Sequence, residues 1–181
     1  MKHFPSIICA HLIYILLNFA QVRIGYRVFR NYRSIGEKKE NDMYTLQTNA
    51  SFDSAHFLKG YQGKCSNIHG HRWTIEVTVA SDEVEADGRI RGMIVDFKTL
   101  KNDLKDLADE FDHKFIIEEG SLKEKTKEAL LEEDFAIVEL PFRPTAENLA
   151  KYFYDRMEEK EYQVVLVKVY ETPNNCAGYS R

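Results

Sequence analysis

Cysteine is scarce in this sequence, and its three copies form no recognisable pattern. Cys9, Cys65 and Cys176 are odd in number and widely spaced, which excludes the disulfide framework of a small secreted domain. Such usage is typical of a reducing compartment, so we expect a cytoplasmic protein with free thiols. Short repeats and low-complexity tracts are also missing, and 44% apolar with 30% charged residues is enough for one packed domain.

Basic charge is missing from most of the chain. Residues 1–42 hold seven Lys or Arg and three Asp or Glu, a net charge of +4, whereas residues 43–181 hold 18 and 26, a net charge of −8. The long acidic part therefore lacks the basic stripe with which proteins bind nucleic acids, and we expect no nucleic-acid partner.

Long apolar runs are missing too. The longest covers Ile7 to Ala20, 14 residues, whereas a transmembrane helix needs about 20. It has the length of a signal-peptide core but lacks a clear cleavage site, and at Met43 the sequence changes abruptly to a strand-like pattern. The favoured interpretation is a start at Met43, with residues 1–42 as a dispensable extension. A membrane anchor, an export signal or an extra helix are the alternatives. We expect residues 43–181 to form one domain without membrane contact.

Alternating apolar and polar residues predict the strands. Residues 44–57 and the segment HRWTIEVTVA, residues 71–80, are typical of strands, and the second places Trp73, Ile75, Val77 and Val79 on one face. An Asp87–Gly88 turn predicts a hairpin that returns as the strand RIRGMIVDF, residues 89–97. The segment YQVVLVKVYET, residues 162–172, predicts a closing strand.

Helical spacing predicts the remaining elements. Asp96 is a candidate N-cap for a helix over residues 97–111, which has an apolar face. Pro144 and Thr145 indicate the start of another helix, with Glu147 in the first turn, where the helix dipole favours an acid. A shorter pattern over residues 120–134 predicts a surface helix. These elements indicate an α+β domain with the order ββααββ.

One short segment, KCSNIHGHRW over residues 64–73, combines a thiol with two imidazoles. His69 and His71 are two apart on or beside a strand, so both side chains project from one face. His56 ends the first predicted strand and offers a third imidazole; three imidazoles with an open fourth position form a catalytic zinc site. Ordinary surface or core histidines are the alternative. Cys65 could close the site as a fourth ligand or act beside the metal as nucleophile or base.

Carboxylates elsewhere in the sequence suggest further chemistry. Asp112 could hold the tautomer of His113 in an acid–base relay. Glu171 ends an apolar strand, where a carboxylate needs a positive partner or the paired N–H groups of a planar heterocycle.

Six motifs then occur in a characteristic order. FDSAH, CSNIHGH, GMIVDF, FDH, PTAENLA and VYET together resemble the 6-pyruvoyl-tetrahydropterin synthase family over residues 44–181. The spacing Cys-x-x-x-His-Gly-His is similar to the branch that makes 6-carboxy-5,6,7,8-tetrahydropterin for queuosine, a 7-deazaguanine. The pyruvoyl-forming branch typically has its cysteine further from the first histidine, and another branch replaces that cysteine by glutamate.

The resemblance implies a zinc-dependent carbon–carbon/carbon–oxygen lyase. Its substrate would be 7,8-dihydroneopterin triphosphate, and its products 6-carboxytetrahydropterin, acetaldehyde and triphosphate. The rivals are the pyruvoyl-forming reaction on the same substrate, a side-chain-cleaving aldolase activity on dihydroneopterin, and a non-catalytic zinc domain closed by Cys65. Lys59, Lys64 and Arg72 are candidate triphosphate contacts, or simply solvated surface residues.

The resemblance also assigns roles to individual residues. The matches are His56, His69 and His71 as Zn²⁺ ligands; Cys65 as catalytic base; Asp112 and His113 as relay pair; Glu171 as pterin anchor and relay member; and Thr145 and Glu147 as pterin-pocket residues. The implied tunnelling fold has a four-stranded antiparallel sheet with two helices on one face. Its subunits would assemble as a homo-hexamer, a dimer of trimers, with active sites between subunits.

The sequence departs from the family pattern after the FDH motif. The stretch before PTAENLA is longer than in the family, and Phe115–Ile116 replace the usual Leu-Asn. We therefore expect a different lid or interface with unchanged chemistry.

Overall fold

The computed structural model describes residues 42–181, so the interpretation of residues 1–42 as an extension falls, apart from Asp42, outside the described residues. Within this range one sheet has the strand order β4-β3-β1-β2-β5-β6. Its strands are β1 (Tyr44–His56), β2 (His69–Ser81), β3 (Phe115–Glu118), β4 (Ile137–Leu140), β5 (Val164–Thr172) and β6 (Asn175–Tyr179). The α-helices are α1 (Phe97–Asp109), α2 (Glu124–Glu132) and α3 (Ala146–Glu158). None of the helices in residues 42–181 is long and apolar enough to cross a membrane.

The sheet is mixed rather than purely antiparallel. The pairs β1–β2, β2–β5 and β5–β6 are antiparallel, whereas β3 joins β1 in parallel and β4 joins β3 in parallel. The prediction of a four-stranded sheet with two helices is therefore too simple. The long stretch after the FDH motif adds β3, α2 and β4, because Ile116 and Ile117 are fully buried strand formers that extend the sheet beside β1.

The hairpin predicted at the Asp87–Gly88 turn is wrong. Residues 89–97 form no strand; instead, turns fold the segment back, with the Glu85 N–H donating to the Met93 carbonyl at 2.9 Å. The reason is non-local, since β2 already has β1 on one edge and β5 on the other. The strand β6 was not predicted at all.

The other predicted elements are confirmed, with small shifts at their ends. Asp96 caps α1 by accepting from the Lys98 N–H at 2.8 Å, and Thr145 caps α3 by accepting from the Asn148 N–H at 3.4 Å. The predicted apolar face of β2 is buried and packs against α1 and α3. β2 begins at His69, two residues earlier than predicted, so both histidines of the motif lie on the strand.

Candidate metal centre and active site

Three histidines converge where β1 ends and β2 begins. In the antiparallel register His56 lies opposite His69, and His71 lies opposite Ser54. His69 and His71 are two apart on a strand, so both project from the face that also carries buried Trp73. The structure therefore brings together the three imidazoles that the sequence analysis singled out.

Backbone carbonyls determine which nitrogen of two of these rings carries the proton. The Nδ1 of His56 lies 2.9 Å from the carbonyl oxygen of Pro144, and the Nδ1 of His69 lies 2.8 Å from that of Asn67. A carbonyl can only accept, so Nδ1 is the donor in each neutral ring and Nε2 keeps its lone pair. Such support by an outer partner is typical of metal-bound histidines. No side-chain pattern in the sequence indicates these carbonyls.

The free nitrogens face one another. The Nε2 atoms of His56 and His69 are 3.1 Å apart, which places two lone pairs in contact without a proton between them. The Nε2 of His71 is buried and has no hydrogen-bond partner. Since unsatisfied buried polar atoms are costly, this arrangement fits a cation held between the rings.

Glu171 completes the group. Its Oε1 lies 3.5 Å from Nε2 of His56 and 3.6 Å from Nε2 of His71. One ligand atom from each of the three histidines and Glu171 lies within 4.8 Å of the others, so the four residues could hold a metal ion. The sequence analysis assigned Glu171 to the substrate; its place beside the imidazoles depends on the register of β5 against β2.

Burial keeps two of the imidazoles neutral. It lowers the pKa of His56 to about 4, despite the hydrogen bond to Pro144 that favours the charged form. Burial also lowers the pKa of His71, partly offset by the nearby Glu171 carboxylate. Neutral imidazoles are the form that binds metals, so neither ring must lose a proton first near pH 7.

In the metal-free protein, the buried imidazole of His56 is expected to make the free energy of unfolding depend on pH. Unfolded His56 has a pKa of 6.5 and takes up a proton that the folded protein accepts only near pH 4. Between pH 6.5 and 4 the unfolded state therefore binds more protons than the folded state. As the pH falls through this range, His56 lowers the free energy of unfolding by about 3 kcal/mol. Urea unfolding of the chelator-treated protein at several pH values measures this slope.

The matched variant for that experiment is His56→Gln, which does not titrate. It should flatten the dependence between pH 6.5 and 4 relative to the wild-type protein. An equal slope in both proteins would show that other groups cause the loss of stability.

Cys65 lies in a short 3₁₀ turn, Lys64–Ser66, and is a half-buried free thiol. It lines a cavity of about 340 Å³. The other predicted residues on the wall of this cavity are Thr145, Glu147 and Glu171, and the sequence analysis missed Tyr61 and Cys176, which also line it. The cavity thus joins the thiol to the metal-binding group, although Cys65 is not a member of that group among the described residues.

Asp112 and His113, the predicted relay pair, are hydrogen-bonded to each other but lie apart from this cavity. The Nδ1–H of His113 donates to Oδ2 of Asp112 at 2.8 Å, and Oδ1 of Asp112 accepts from the Asp53 N–H at 2.8 Å. The Asp53 N–H lowers the pKa of Asp112, and the hydrogen bond to Asp112 raises that of His113. The His113 side chain is 80% exposed, and its backbone has a φ of 56°. A left-handed φ is uncommon for residues other than glycine, and such residues cluster at functional sites.

Two of the three candidate cations have partners in the structure. Arg72 lies 3.5 Å from an Asp53 oxygen and lines a second cavity of about 520 Å³, which also reaches His71 and Glu171. The Nζ of Lys59 donates to the Gly120 carbonyl at 2.9 Å. The Lys64 side chain is exposed and has no hydrogen bond or ion pair within residues 42–181.

The same residues fall within a known protein family. The model of the family "6-pyruvoyl tetrahydropterin synthase" matches residues 45–181. The chain belongs to this family. It is 31% identical to the 6-carboxy-5,6,7,8-tetrahydropterin synthase of Haemophilus influenzae, over 76% of this chain and 99% of that protein. It is 40% identical to the Aquifex aeolicus protein with the same name, over 64% and 75%.

Solved structures agree with this family in fold. A crystal structure of an uncharacterized Wolinella succinogenes protein has a TM-score of 0.61 at 21% identity, over 78% of this chain and 99% of that one. The 6-pyruvoyl tetrahydropterin synthase of Plasmodium falciparum has a TM-score of 0.57 at 20% identity, over 78% and 99%. At this identity the likeness extends to the fold alone.

Proposed function

We propose that this enzyme converts 7,8-dihydroneopterin triphosphate and water to 6-carboxy-5,6,7,8-tetrahydropterin, acetaldehyde and triphosphate, in the synthesis of queuosine. The observation that carries the proposal is the cavity that Cys65 and Glu171 share, beside three converging imidazoles. Relatives named 6-carboxy-5,6,7,8-tetrahydropterin synthase at 31% and 40% identity support this branch of the family. Two free described cysteines, Cys65 and Cys176, accord with a cytoplasmic enzyme.

The metal of this proposal is Zn²⁺. Three imidazoles with one carboxylate form a nitrogen-and-oxygen donor set that suits zinc. When bound, zinc would supply Lewis acidity toward the hydroxyls of the substrate side chain. The structural-zinc alternative required Cys65 as the fourth ligand, and the presence of Glu171 in the group instead favours a thiol left free for chemistry.

The protein residues would divide the remaining work. Cys65 as thiolate removes the proton from the side-chain carbon next to the pterin ring. Glu171 has two oxygens that match paired ring N–H groups, and Thr145 with Glu147 offers further contacts on the same cavity wall. Loss of triphosphate, addition of one water and cleavage of a carbon–carbon bond then give acetaldehyde and leave a carboxylate on the ring.

The relay pair supports an active site built between subunits. His113 and Asp112 do not line the cavity of their own chain, so a homo-hexamer, a dimer of trimers, would allow a partner to supply them. Within the described residues, β1 pairs with β3 only at Ala55 and His56, so most of this edge of β1 is open. The strand β6 pairs only with β5, so its other edge is open as well. These two open edges are suited to continue the sheet from one copy to the next.

Product analysis tests the proposal most directly. The zinc-loaded full chain is incubated with dihydroneopterin triphosphate, and we expect acetaldehyde together with 6-carboxytetrahydropterin by mass spectrometry. A 6-pyruvoyl product without acetaldehyde would assign the protein to the other branch of the family. A second incubation uses dihydroneopterin, which carries no triphosphate. Turnover of this substrate would indicate the side-chain-cleaving aldolase activity instead. Zinc binding without turnover of either substrate would favour a structural metal.

A further inference from the structure

The stretch that exceeds the family pattern packs beside the segment that carries Cys65. Its strand β3 joins β1 at Ala55 and His56, the last two residues of β1. The rings of Phe57 and Phe115 lie 5.9 Å apart, and the Ala55 N–H donates to the Lys114 carbonyl at 3.1 Å. The inserted unit, residues 115–140, therefore begins directly next to the thiol loop, residues 57–66.

The thiol loop has little apolar packing of its own. It is closed by the Leu58 N–H, which donates to the Cys65 carbonyl at 2.8 Å, and by the Tyr61 N–H, which donates to the Leu58 carbonyl at 3.1 Å. Tyr61, one of its large side chains, is 49% exposed. A loop with few buried contacts depends on hydrogen bonds to its surroundings for a defined position.

Two basic side chains supply such bonds. The Nζ of Lys59 donates to the carbonyl of Gly120, just after β3, at 2.9 Å. The Nη2 of Arg143 donates to the Lys59 carbonyl at 2.5 Å, and its Nε lies 4.0 Å from Oε2 of Glu118 at the end of β3. Together they connect the thiol loop to the inserted unit from both sides.

The backbone of Arg143 serves the metal side of the site. Its carbonyl accepts from the Thr145 N–H at 2.8 Å and from the Asn148 side-chain amide at 3.0 Å. The next residue along the chain, Pro144, provides the carbonyl that accepts from Nδ1 of His56. Arg143 thus contacts the thiol loop and the inserted unit, and it adjoins the support of an imidazole.

We propose that Arg143 is a positioning residue, which with Lys59 fastens the thiol loop to the inserted unit and so places Cys65 relative to the imidazoles. Its catalytic consequence rests on the proposed function. The guanidinium already faces the Lys59 carbonyl and the Glu118 carboxylate, which favours this role over direct binding of the substrate phosphates.

The test compares Arg143→Gln and Arg143→Lys with the control Arg91→Gln, since the exposed Arg91 side chain has no partner within residues 42–181. Amide hydrogen exchange, read by mass spectrometry, should become faster in residues 57–66 for Arg143→Gln and should be partly restored in Arg143→Lys. In the zinc-loaded enzyme kcat should fall by about tenfold to a hundredfold, because small displacements of a catalytic group have effects of this size. KM and zinc content should change little.

Several results would overturn the proposal. Unchanged exchange in the thiol loop would remove the positioning role, and a raised KM with unchanged kcat would indicate a direct phosphate contact. Loss of zinc would mean that Arg143 supports the imidazoles instead. Lys59→Met, which removes only the bond to Gly120, should loosen the same loop and serves if Arg143→Gln fails to fold. Hydrogen exchange can be measured without turnover. If the wild-type protein were inactive but exchange in residues 57–66 still became faster in Arg143→Gln, the proposed function would be contradicted and the positioning role of Arg143 supported.

Discussion

The substitution Cys65→Ala should lower kcat by about a hundredfold to ten-thousandfold, the usual contribution of a catalytic base. Zinc content should stay at the wild-type level, because the metal-binding group consists of the three histidines and Glu171. Steady-state turnover and metal analysis of the same preparation measure both effects. The combination separates a base from a ligand, which the spacing of the sequence left open.

A second thiol provides the matched control. Cys176 lines the same cavity as Cys65 but is exposed on β6, outside the 3₁₀ turn. Cys176→Ala should keep most of its turnover. A drop in zinc content in Cys65→Ala would instead identify the thiol as a ligand, and equal activity losses in both variants would argue against a specific base.

The substitution His71→Ala should remove both metal and turnover. Its Nε2 is buried without a hydrogen-bond partner, so a bound metal would supply the partner that this atom lacks. Because changes to outer-shell partners alone weaken metal binding by about 10–100-fold, loss of a direct ligand should weaken it at least as much. Competition with a chromogenic chelator measures the zinc affinity.

Two further variants separate the loss of zinc from the loss of turnover or substrate binding. His113→Asn should keep zinc and lose turnover, because His113 bonds to Asp112 and is not part of the metal-binding group. Glu171→Gln should retain zinc on the three imidazoles and lose substrate binding, because in the proposed function the Glu171 carboxylate anchors the pterin. Wild-type zinc affinity in His71→Ala would show that this imidazole is not a ligand.

Much of the site could be predicted because it depends on local spacing. The two-residue period of a strand places His69 and His71 on one face, and β2 shows this arrangement. Caps at Asp96 and Thr145 follow from short-range hydrogen bonds, so the starts of α1 and α3 were also correct. Glu171 beside the imidazoles was not foreseen, because its position depends on the pairing of β5 with β2.

The errors in the fold have a common cause. The strand predicted over residues 89–97 has suitable residues but no free edge of β2 to join. Conversely, β3 and β4 have only four residues each, too short for a clear alternation, and they form because β1 offers an open edge near its end. Strand pairing is a non-local choice, and a single sequence contains no record of which edges remain open.

The sequence by itself determined the family, the three imidazoles, the thiol and the caps of both main helices, because these depend on residue type and short spacing. Only the tertiary structure decided that Glu171 joins the imidazoles, that the relay pair lies outside the cavity of its own chain, and that Arg143 links the thiol loop to the inserted unit. These contacts join residues far apart in the chain, and the register of the sheet and the packing of loops bring them together.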